Sequence, residues 1–156
     1  MHIRFVWVGK TKDKSIAALT EEYLKRLGRF SPVEITVVKE QKRSDEGNAD
    51  RIIESESKAI EGVLNRDSYA VLLDIEGKGM TSPELAEFVR KRQDDGTKDL
   101  VFIVGGFLGV STHLKESSRV RLSLSKLTLT HEMARMILVE QVYRAFTILH
   151  GLPYQK

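Results

Sequence analysis

Three side chains near the end of the chain have the types and spacing to bind an anion or move a proton: His131, Arg135 and Arg144. Glu140 precedes Arg144 by four residues, a spacing that favours an ion pair along a helix. Arg135 has only Glu132, close to the predicted helix start. An unpaired arginine on an apolar helix needs an anion, from a neighbouring chain or a substrate phosphate. His131 stands where a loop meets the helix, so it is either an N-cap or core histidine or a group that handles a proton.

Three loop-forming segments in the last third of the chain each end an apolar run. They are residues 104–109, 124–131 and 151–156. In an open α/β sheet, ligands collect outside the carboxyl ends of the strands. The paired glycines Gly105 and Gly106 let a ligand approach the backbone closely, although a tight turn alone also explains them. The clustering therefore predicts a pocket built largely from main chain.

Single positions exclude two common phosphate-binding motifs. Gly9-Lys10-Thr11 follows a strand, but a P-loop needs glycine five positions before Gly9, where Arg4 stands. Residues 105–109 follow the fourth predicted strand and do not match the dinucleotide fingerprint. Asp74, at the end of a predicted strand, could act as a general base or metal ligand. No histidine or carboxylate cluster with ligand spacing lies near it in sequence, so a helix cap or salt-bridge partner is the alternative.

The composition is that of one soluble globular domain spanning residues 1–156. Apolar residues make up 41% and charged residues 30%, the usual balance of such domains. The chain has no cysteine, which excludes disulfides, thiolate metal sites and cysteine nucleophiles. No segment reads as a signal peptide or reaches the roughly 20 apolar residues of a membrane span. We therefore expect a cytoplasmic protein with no membrane contact and no metal.

Charge is unevenly distributed along the chain. Residues 1–100 carry 18 Lys and Arg against 19 Asp and Glu, whereas residues 101–156 carry 7 against 3. A local basic excess is the minimal footprint of a polyanion-binding face. Scatter in a small sample explains the same numbers equally well.

Strands and helices alternate along the whole chain. Asn48 and either Thr81 or Ser82 are expected helix caps, and residues 76–79 are expected to end the third strand as a turn. We expect strands at 2–8, 33–38, 69–75, 100–104 and 120–124, and helices at 15–28, 48–64, 83–95, 111–118 and 132–149. The polar run 39–47 is expected to be a mobile loop. This pattern is typical of an α/β protein with a mainly parallel sheet and helices on both faces.

The predicted C-terminal helix is apolar on most of its sides. Its apolar side chains cannot all face one sheet, and such a helix is expected to be buried on several sides. In a domain this small, the sequence favours a second subunit as the cover. We therefore expect a homodimer.

With these features assembled, the chain resembles the RlmH (YbeA) family of small bacterial ribosomal RNA methyltransferases, of the SPOUT class. The resemblance covers essentially the whole length, and the order and spacing of its motifs are specific. The matching segments are Val8-Gly9-Lys10, Glu22-Tyr23-Leu24-Lys25-Arg26, Leu72-Leu73-Asp74-Ile75-Glu76-Gly77-Lys78, Ile103-Val104-Gly105-Gly106, Leu122-Ser123-Leu124-Ser125, His131 followed by Arg135, Glu140-Gln141-Val142-Tyr143-Arg144-Ala145, and Pro153-Tyr154.

The resemblance implies a C-terminal trefoil knot, a homodimer, and S-adenosyl-L-methionine as methyl donor. It implies methylation of N3 of a pseudouridine in a 23S rRNA stem-loop of the assembled 70S ribosome. By position, the implied cofactor-binding residues are Leu73, Gly105, Leu124, Ser125, Lys126, Leu127, Thr128 and Leu129. His131, Arg135, Arg144 and Tyr154 become the candidate catalytic residues on the substrate side.

Three positions depart from the family's pattern. Family members commonly have proline where Thr130 stands, small or polar residues where Phe107-Leu108 stand, and histidine where Gln155 stands. The last difference argues against a mechanism that uses a histidine of the tail as base. The main alternative is a non-catalytic ribosome- or RNA-binding protein of the same fold that has lost the cofactor pocket.

Overall fold

The protein is built around one sheet of five parallel strands. The computed structural model describes residues 1–42 and 48–155. The strands are β1 (His2–Val8), β2 (Val33–Val38), β3 (Tyr69–Gly79), β4 (Asp99–Val104) and β5 (Val120–Ser123), in the order β2-β1-β4-β3-β5. The helices are α1 (Lys14–Leu27), α2 (Ala49–Gly62), α3 (Ser82–Asp94), α4 (Thr112–Ser117) and α5 (His131–Leu149). A short 3₁₀ helix, Pro153–Gln155, follows α5.

Two apolar layers cover the two faces of the sheet, because alternate residues of each buried strand point to opposite sides. Phe5 and Phe102 point to the layer that also holds buried residues of α1, α3 and α5. Val6 and Ile103 point to the layer formed with α2 and α4. The predicted parallel α/β sheet with helices on both faces is therefore confirmed.

Local side-chain caps fix where the helices begin. The N-cap side chains that accept a backbone hydrogen bond are those of Asp13, Asn48, Thr81, Ser111 and Thr130. These caps satisfy backbone N–H groups that have no partner inside the helix. The expected cap at Asn48 is confirmed, and Thr81 rather than Ser82 caps α3.

Strand β3 does not end where the sequence predicts. It continues through residues 76–79, which were expected to form a turn, and pairs with β5 on both sides of an irregularity. Leu73 and Lys78 both lie opposite Leu122, so the residues between them bulge out of the ladder. Gly77 lies at the closest approach, where an added Cβ would be 2.6 Å from the carbonyl carbon of Arg121.

The remaining boundaries differ from the sequence prediction by one or two residues in most places. Strand β5 ends at Ser123, so Leu124 lies outside it. Most of the predicted loop 39–47 falls on residues 43–47, which lie outside the described residues. Among the described residues, no helix is both long and apolar enough to span a membrane.

Helix α5 packs against both α1 and α3 on one face of the sheet. Seven of its residues are buried, while Met133 is 37% exposed and several other apolar residues are only half-buried. The outward stripe of the helix therefore retains apolar surface within one protomer. The homodimer remains a prediction.

Candidate functional site

A cavity of about 870 Å³ opens at the bulge of β3 and at the carboxyl ends of β4 and β5. Its volume falls in the range of about 300–1,000 Å³ that is usual for small-molecule sites. Gly105 and the loop 124–129 share this cavity, as the clustering of loops predicted, but none of the described residues of the third segment, 151–156, lines it. The predicted cofactor-binding residues that line it are Leu73, Gly105, Leu124, Ser125, Leu127, Thr128 and Leu129. Lys126 is exposed and does not line it.

The glycine loop after β4 is a tight turn that forms one wall of the cavity. The Gly109 N–H donates to the Gly106 carbonyl at 3.0 Å, and Gly109 has φ of 89°, a conformation that favours glycine. At Gly105 an added Cβ would lie 2.6 Å from Cγ1 of Val110. The main chain of Gly105 therefore lines the cavity at a point where Val110 leaves no room for a side chain. The tight turn at these glycines is confirmed, and the approach of a ligand to them stays a prediction.

The loop after β5 is held by its own serines. The Ser123 hydroxyl donates to the Ser125 carbonyl at 3.0 Å, and the Ser125 hydroxyl accepts from the Leu127 N–H at 2.9 Å. Leu127 is 76% exposed, and across the cavity Phe107 is 67% exposed. Exposed apolar side chains on both sides provide surface that a ligand could cover.

Two charged side chains, Asp74 and Lys115, are present among the described residues that line the cavity. One Asp74 oxygen accepts from the Glu76 N–H at 3.0 Å and the other from Nη1 of Arg121 at 3.3 Å. Nζ of Lys115 is 3.9 Å from Asp74 and 4.0 Å from Glu76. Asp74 is therefore a salt-bridge partner, one of the alternatives that its position in the sequence left open.

His131 lines the cavity at the start of α5. It is the first residue of the helix, because the hydroxyl of Thr130 caps the helix by accepting from the Met133 N–H at 3.2 Å. Burial lowers the pKa of His131, and the nearby charge of Arg135 lowers it further. The lowered pKa favours the neutral imidazole, the form that can accept a proton.

Comparison with known proteins identifies the family. The family model described as "Predicted SPOUT methyltransferase" matches residues 1–155. The chain belongs to the SPOUT methyltransferase family. A relative from Geobacter sp. (strain M21), named "Ribosomal RNA large subunit methyltransferase H", is 41% identical over 154 residues, covering 99% of this chain and 98% of the relative. A relative from Methanococcus maripaludis (strain C5 / ATCC BAA-1333), named "Putative ribosomal RNA large subunit methyltransferase H", is 38% identical over all of both chains.

A solved structure shows the same SPOUT fold at much lower identity. It is a probable methylase family protein from Haemophilus influenzae Rd KW20, which superposes with a TM-score of 0.60 at 15% identity. The match covers 99% of this chain and 70% of that one. The fold is thus shared over essentially the whole length of this SPOUT methyltransferase.

Arg135 of this SPOUT methyltransferase is fully buried and is satisfied in part by its own chain. Its Nη1 donates to the hydroxyl of Thr11 at 3.2 Å, its Nη2 donates to the Val8 carbonyl, and its guanidinium lies 5.3 Å from the Trp7 ring centroid. Burial lowers its pKa. Nε has no hydrogen-bond partner among the described residues. For two of the three nitrogens, the place of the expected external anion is therefore taken by the carbonyl of Val8, the last residue of β1, and by the hydroxyl of Thr11, which follows β1.

Arg144 and Tyr154 lie together but outside the cavity lining. Nε of Arg144 donates to Oε1 of Glu140 at 3.0 Å, and its guanidinium lies 4.7 Å from the Tyr154 ring centroid. The Tyr154 hydroxyl donates to the same Glu140 oxygen at 2.9 Å and lies 3.0 Å from the Tyr23 hydroxyl. The hydrogen bonds with Glu140 raise the pKa of Arg144, while burial and these contacts raise the pKa of Tyr154. The predicted helix ion pair is confirmed.

Sequence reasoning missed two α2 side chains, Glu56 and Ser57, that contact the segment from Gly106 to Ser111. The Ser57 hydroxyl accepts from the Ser111 N–H at 2.8 Å. The Glu56 carboxylate, only 4% exposed, lies against Gly106 and accepts from the Gln41 N–H at 3.0 Å. Burial raises the pKa of Glu56. The sequence feature that could have identified them is the occurrence of two adjacent polar residues on the otherwise apolar, inward face of α2.

Proposed function

We propose that this protein is an S-adenosyl-L-methionine-dependent methyltransferase that acts on N3 of a pseudouridine in a 23S rRNA stem-loop of the assembled ribosome. The observation that carries the proposal is the single cavity shared by the glycine loop and the loop 124–129. Its volume, its apolar walls and its serine and threonine hydroxyls suit an adenosine held by backbone and apolar contacts. The names of the full-length relatives supply the substrate class.

When bound, the donor supplies a methyl group on a sulfonium, which is already a strong electrophile. The protein's task is then to orient the two reactants, and orientation can supply roughly 7–11 kcal/mol of a barrier. The hydroxyls of Ser123 and Ser125 hold the loop 124–129 in one shape. His131 lines the cavity and its lowered pKa favours the neutral ring, so it is placed to orient the acceptor or relay its ring proton.

Arg144 and Tyr154 belong to the substrate side of this proposal. A guanidinium beside an aromatic ring can stabilise negative charge on a base or phosphate while the ring packs on the base. We expect Arg144→Ala to lower methylation by at least about tenfold, the value of one charge-assisted hydrogen bond, without changing donor affinity. Calorimetry measures the donor affinity and a ribosome methylation assay measures the rate. An unchanged rate with normal ribosome affinity would remove Arg144 from the mechanism.

A homodimer and the C-terminal trefoil knot are also part of the proposal, and family membership supports both. The apolar residues on the outward stripe of α5 support the dimer, since Met133 is exposed and its apolar neighbours are half-buried. Sedimentation at dilute concentration measures the mass. A monomer under those conditions would contradict the dimer.

The deciding experiment is mass mapping of ribosomal RNA from cells that lack this gene. One methyl group should be missing at a pseudouridine of 23S rRNA, and purified protein with donor should restore it on isolated 70S ribosomes. Ribosomes whose target is still uridine show whether pseudouridine is required. The non-catalytic alternative predicts no loss of methyl, together with no heat and no thermal shift on adding the donor.

A further inference from the structure

The methyl donor carries one anionic group, the carboxylate of its amino-acid portion, beside an ammonium. Lys115 is the one cationic side chain among the described residues that line the cavity, and Asp74 is the one anionic side chain. Asp74 lies in the bulge of β3 and Lys115 lies on α4, with 3.9 Å between Nζ of Lys115 and Oδ2 of Asp74. We infer that Nζ of Lys115 binds the donor carboxylate and thereby selects a donor that retains it. This inference rests on the proposed function.

The N–H groups of Lys115 are available to a ligand, whereas the oxygens of Asp74 already accept hydrogen bonds. Both oxygens of Asp74 accept hydrogen bonds, from Glu76 and Arg121. Lys115 lies beyond hydrogen-bond distance of its two nearest carboxylates, and no described residue accepts a hydrogen bond from its Nζ. Its side chain is 35% exposed. The two carboxylates therefore hold the ammonium at the cavity edge without using its N–H groups.

The local charge favours a zwitterion over an RNA phosphate. Lys115 and Arg121 both lie within 4.0 Å of Asp74, and Glu76 lies within 4.0 Å of Lys115, so the four charges sum to zero and give no net attraction to a group that carries only negative charge. The amino-acid end of the donor brings its own ammonium, which the same two carboxylates favour. Lys115 also lies in the cavity lining with Gly105 and Val110, where the donor rather than a sugar-phosphate backbone is expected.

The test compares two ligands by calorimetry: S-adenosyl-L-methionine and its decarboxylated form, which lacks only the carboxylate. We expect the wild-type protein to bind the first roughly tenfold more tightly, as one charge-assisted hydrogen bond implies. Lys115→Met should bind both about equally, because the methionine keeps the length of the side chain and removes the charge. Lys115→Arg should restore the preference.

Lys58→Met is the matched control, since Lys58 is exposed on α2 and does not line the cavity. It makes the same change in net charge and should keep the wild-type preference. Thermal melting of each variant checks folding, and the wild-type comparison of the two ligands needs no variant at all.

The outcomes separate this inference from the proposed function. Failure of the wild-type protein to bind either ligand would contradict the proposed function itself. Tight binding of both ligands by the wild type, or a Lys115→Met protein that keeps the preference, would overturn the role of Lys115 alone. A Lys115→Met protein with a normal preference and weaker ribosome binding would make Lys115 an RNA contact and would also overturn it.

Discussion

Replacing Gly77 by alanine tests whether the bulge between β3 and β5 shapes the cavity. The new Cβ would lie 2.6 Å from the carbonyl carbon of Arg121, 2.7 Å from its oxygen and 2.8 Å from the nitrogen of Leu122. All three are backbone atoms, so no change of rotamer can relieve the contact and the two strands must move apart. Overpacking of this kind costs about 1–3 kcal/mol. For a chain of this size that lowers Tm by roughly 2–12 °C.

Gly79→Ala is the matched control, two residues along the same strand. An added Cβ at Gly79 meets no atom within 4 Å, and alanine there restricts the unfolded chain. We expect its stability to be unchanged or raised by up to about 1 kcal/mol. Scanning calorimetry on both variants measures the difference. Equal Tm values for Gly77→Ala and Gly79→Ala would refute the reasoning.

The same pair of variants tests whether the bulge affects binding of the methyl donor in the cavity. The bulge carries Asp74 and Ile75 into the cavity lining, opposite Leu122 of β5. Moving the strands apart at Gly77 therefore changes one wall of the cavity, and Gly77→Ala should bind the methyl donor more weakly than Gly79→Ala does. Normal donor affinity in a destabilised Gly77→Ala protein would confine the role of the bulge to stability.

Two further predictions concern pH. In an NMR titration, His131 should titrate below the ordinary 6.5 because burial lowers its pKa. His113 should titrate above it because the hydrogen bond that its ring donates to the Glu61 carboxylate raises its pKa. Glu61→Gln should remove the shift of His113 alone, and two coincident midpoints would contradict both causes. Burial would raise the pKa of Asp99, but the hydrogen bond and the charge of Arg4 lower it below the ordinary 3.8. The ionised Asp99 therefore stabilises the folded protein above pH 3.8, and this stabilisation is lost as the pH falls through the pKa of Asp99 in the folded protein. Asp99→Asn should therefore cost about 2 kcal/mol in urea unfolding at neutral pH, and a cost that does not shrink in acid would contradict the assignment.

Local chemistry explains which parts of the fold the sequence predicts. Asn48 and Ser111 cap helices through hydrogen bonds to the third residue on, so their effect can be read from a few neighbouring residues. Alternating or continuous apolar runs identify the strands for the same reason. The glycines at 77 and 79 resemble a turn by the same local rules, and that prediction is wrong because pairing with β5 is a contact between distant segments.

The sequence did not predict those features of the site that depend on contacts between distant segments of the chain. Arg135 has no acidic partner at helical spacing, which suggested an external anion. The Val8 carbonyl and the Thr11 hydroxyl lie more than 120 positions earlier, and nothing in the order of residues says that β1 ends beside α5. The pairing of Arg144 with Glu140 was predictable because both partners lie on one helix.

The length of α5 restricts what Arg144 can do within one protomer. His131 lines the cavity, and Arg144 follows 13 residues later, which at 1.5 Å per residue places it about 20 Å along the helix. A reacting base must come within about 3–3.5 Å of the methyl group, so Arg144 cannot reach the base bound at its own cavity, although it can reach a phosphate further along the RNA. The Arg144→Ala enzyme therefore separates two arrangements. A slower rate at saturating ribosome places Arg144 at the base and requires the cavity of a second protomer, whereas a loss confined to ribosome affinity, with a stronger effect at low salt, places it at the phosphate backbone.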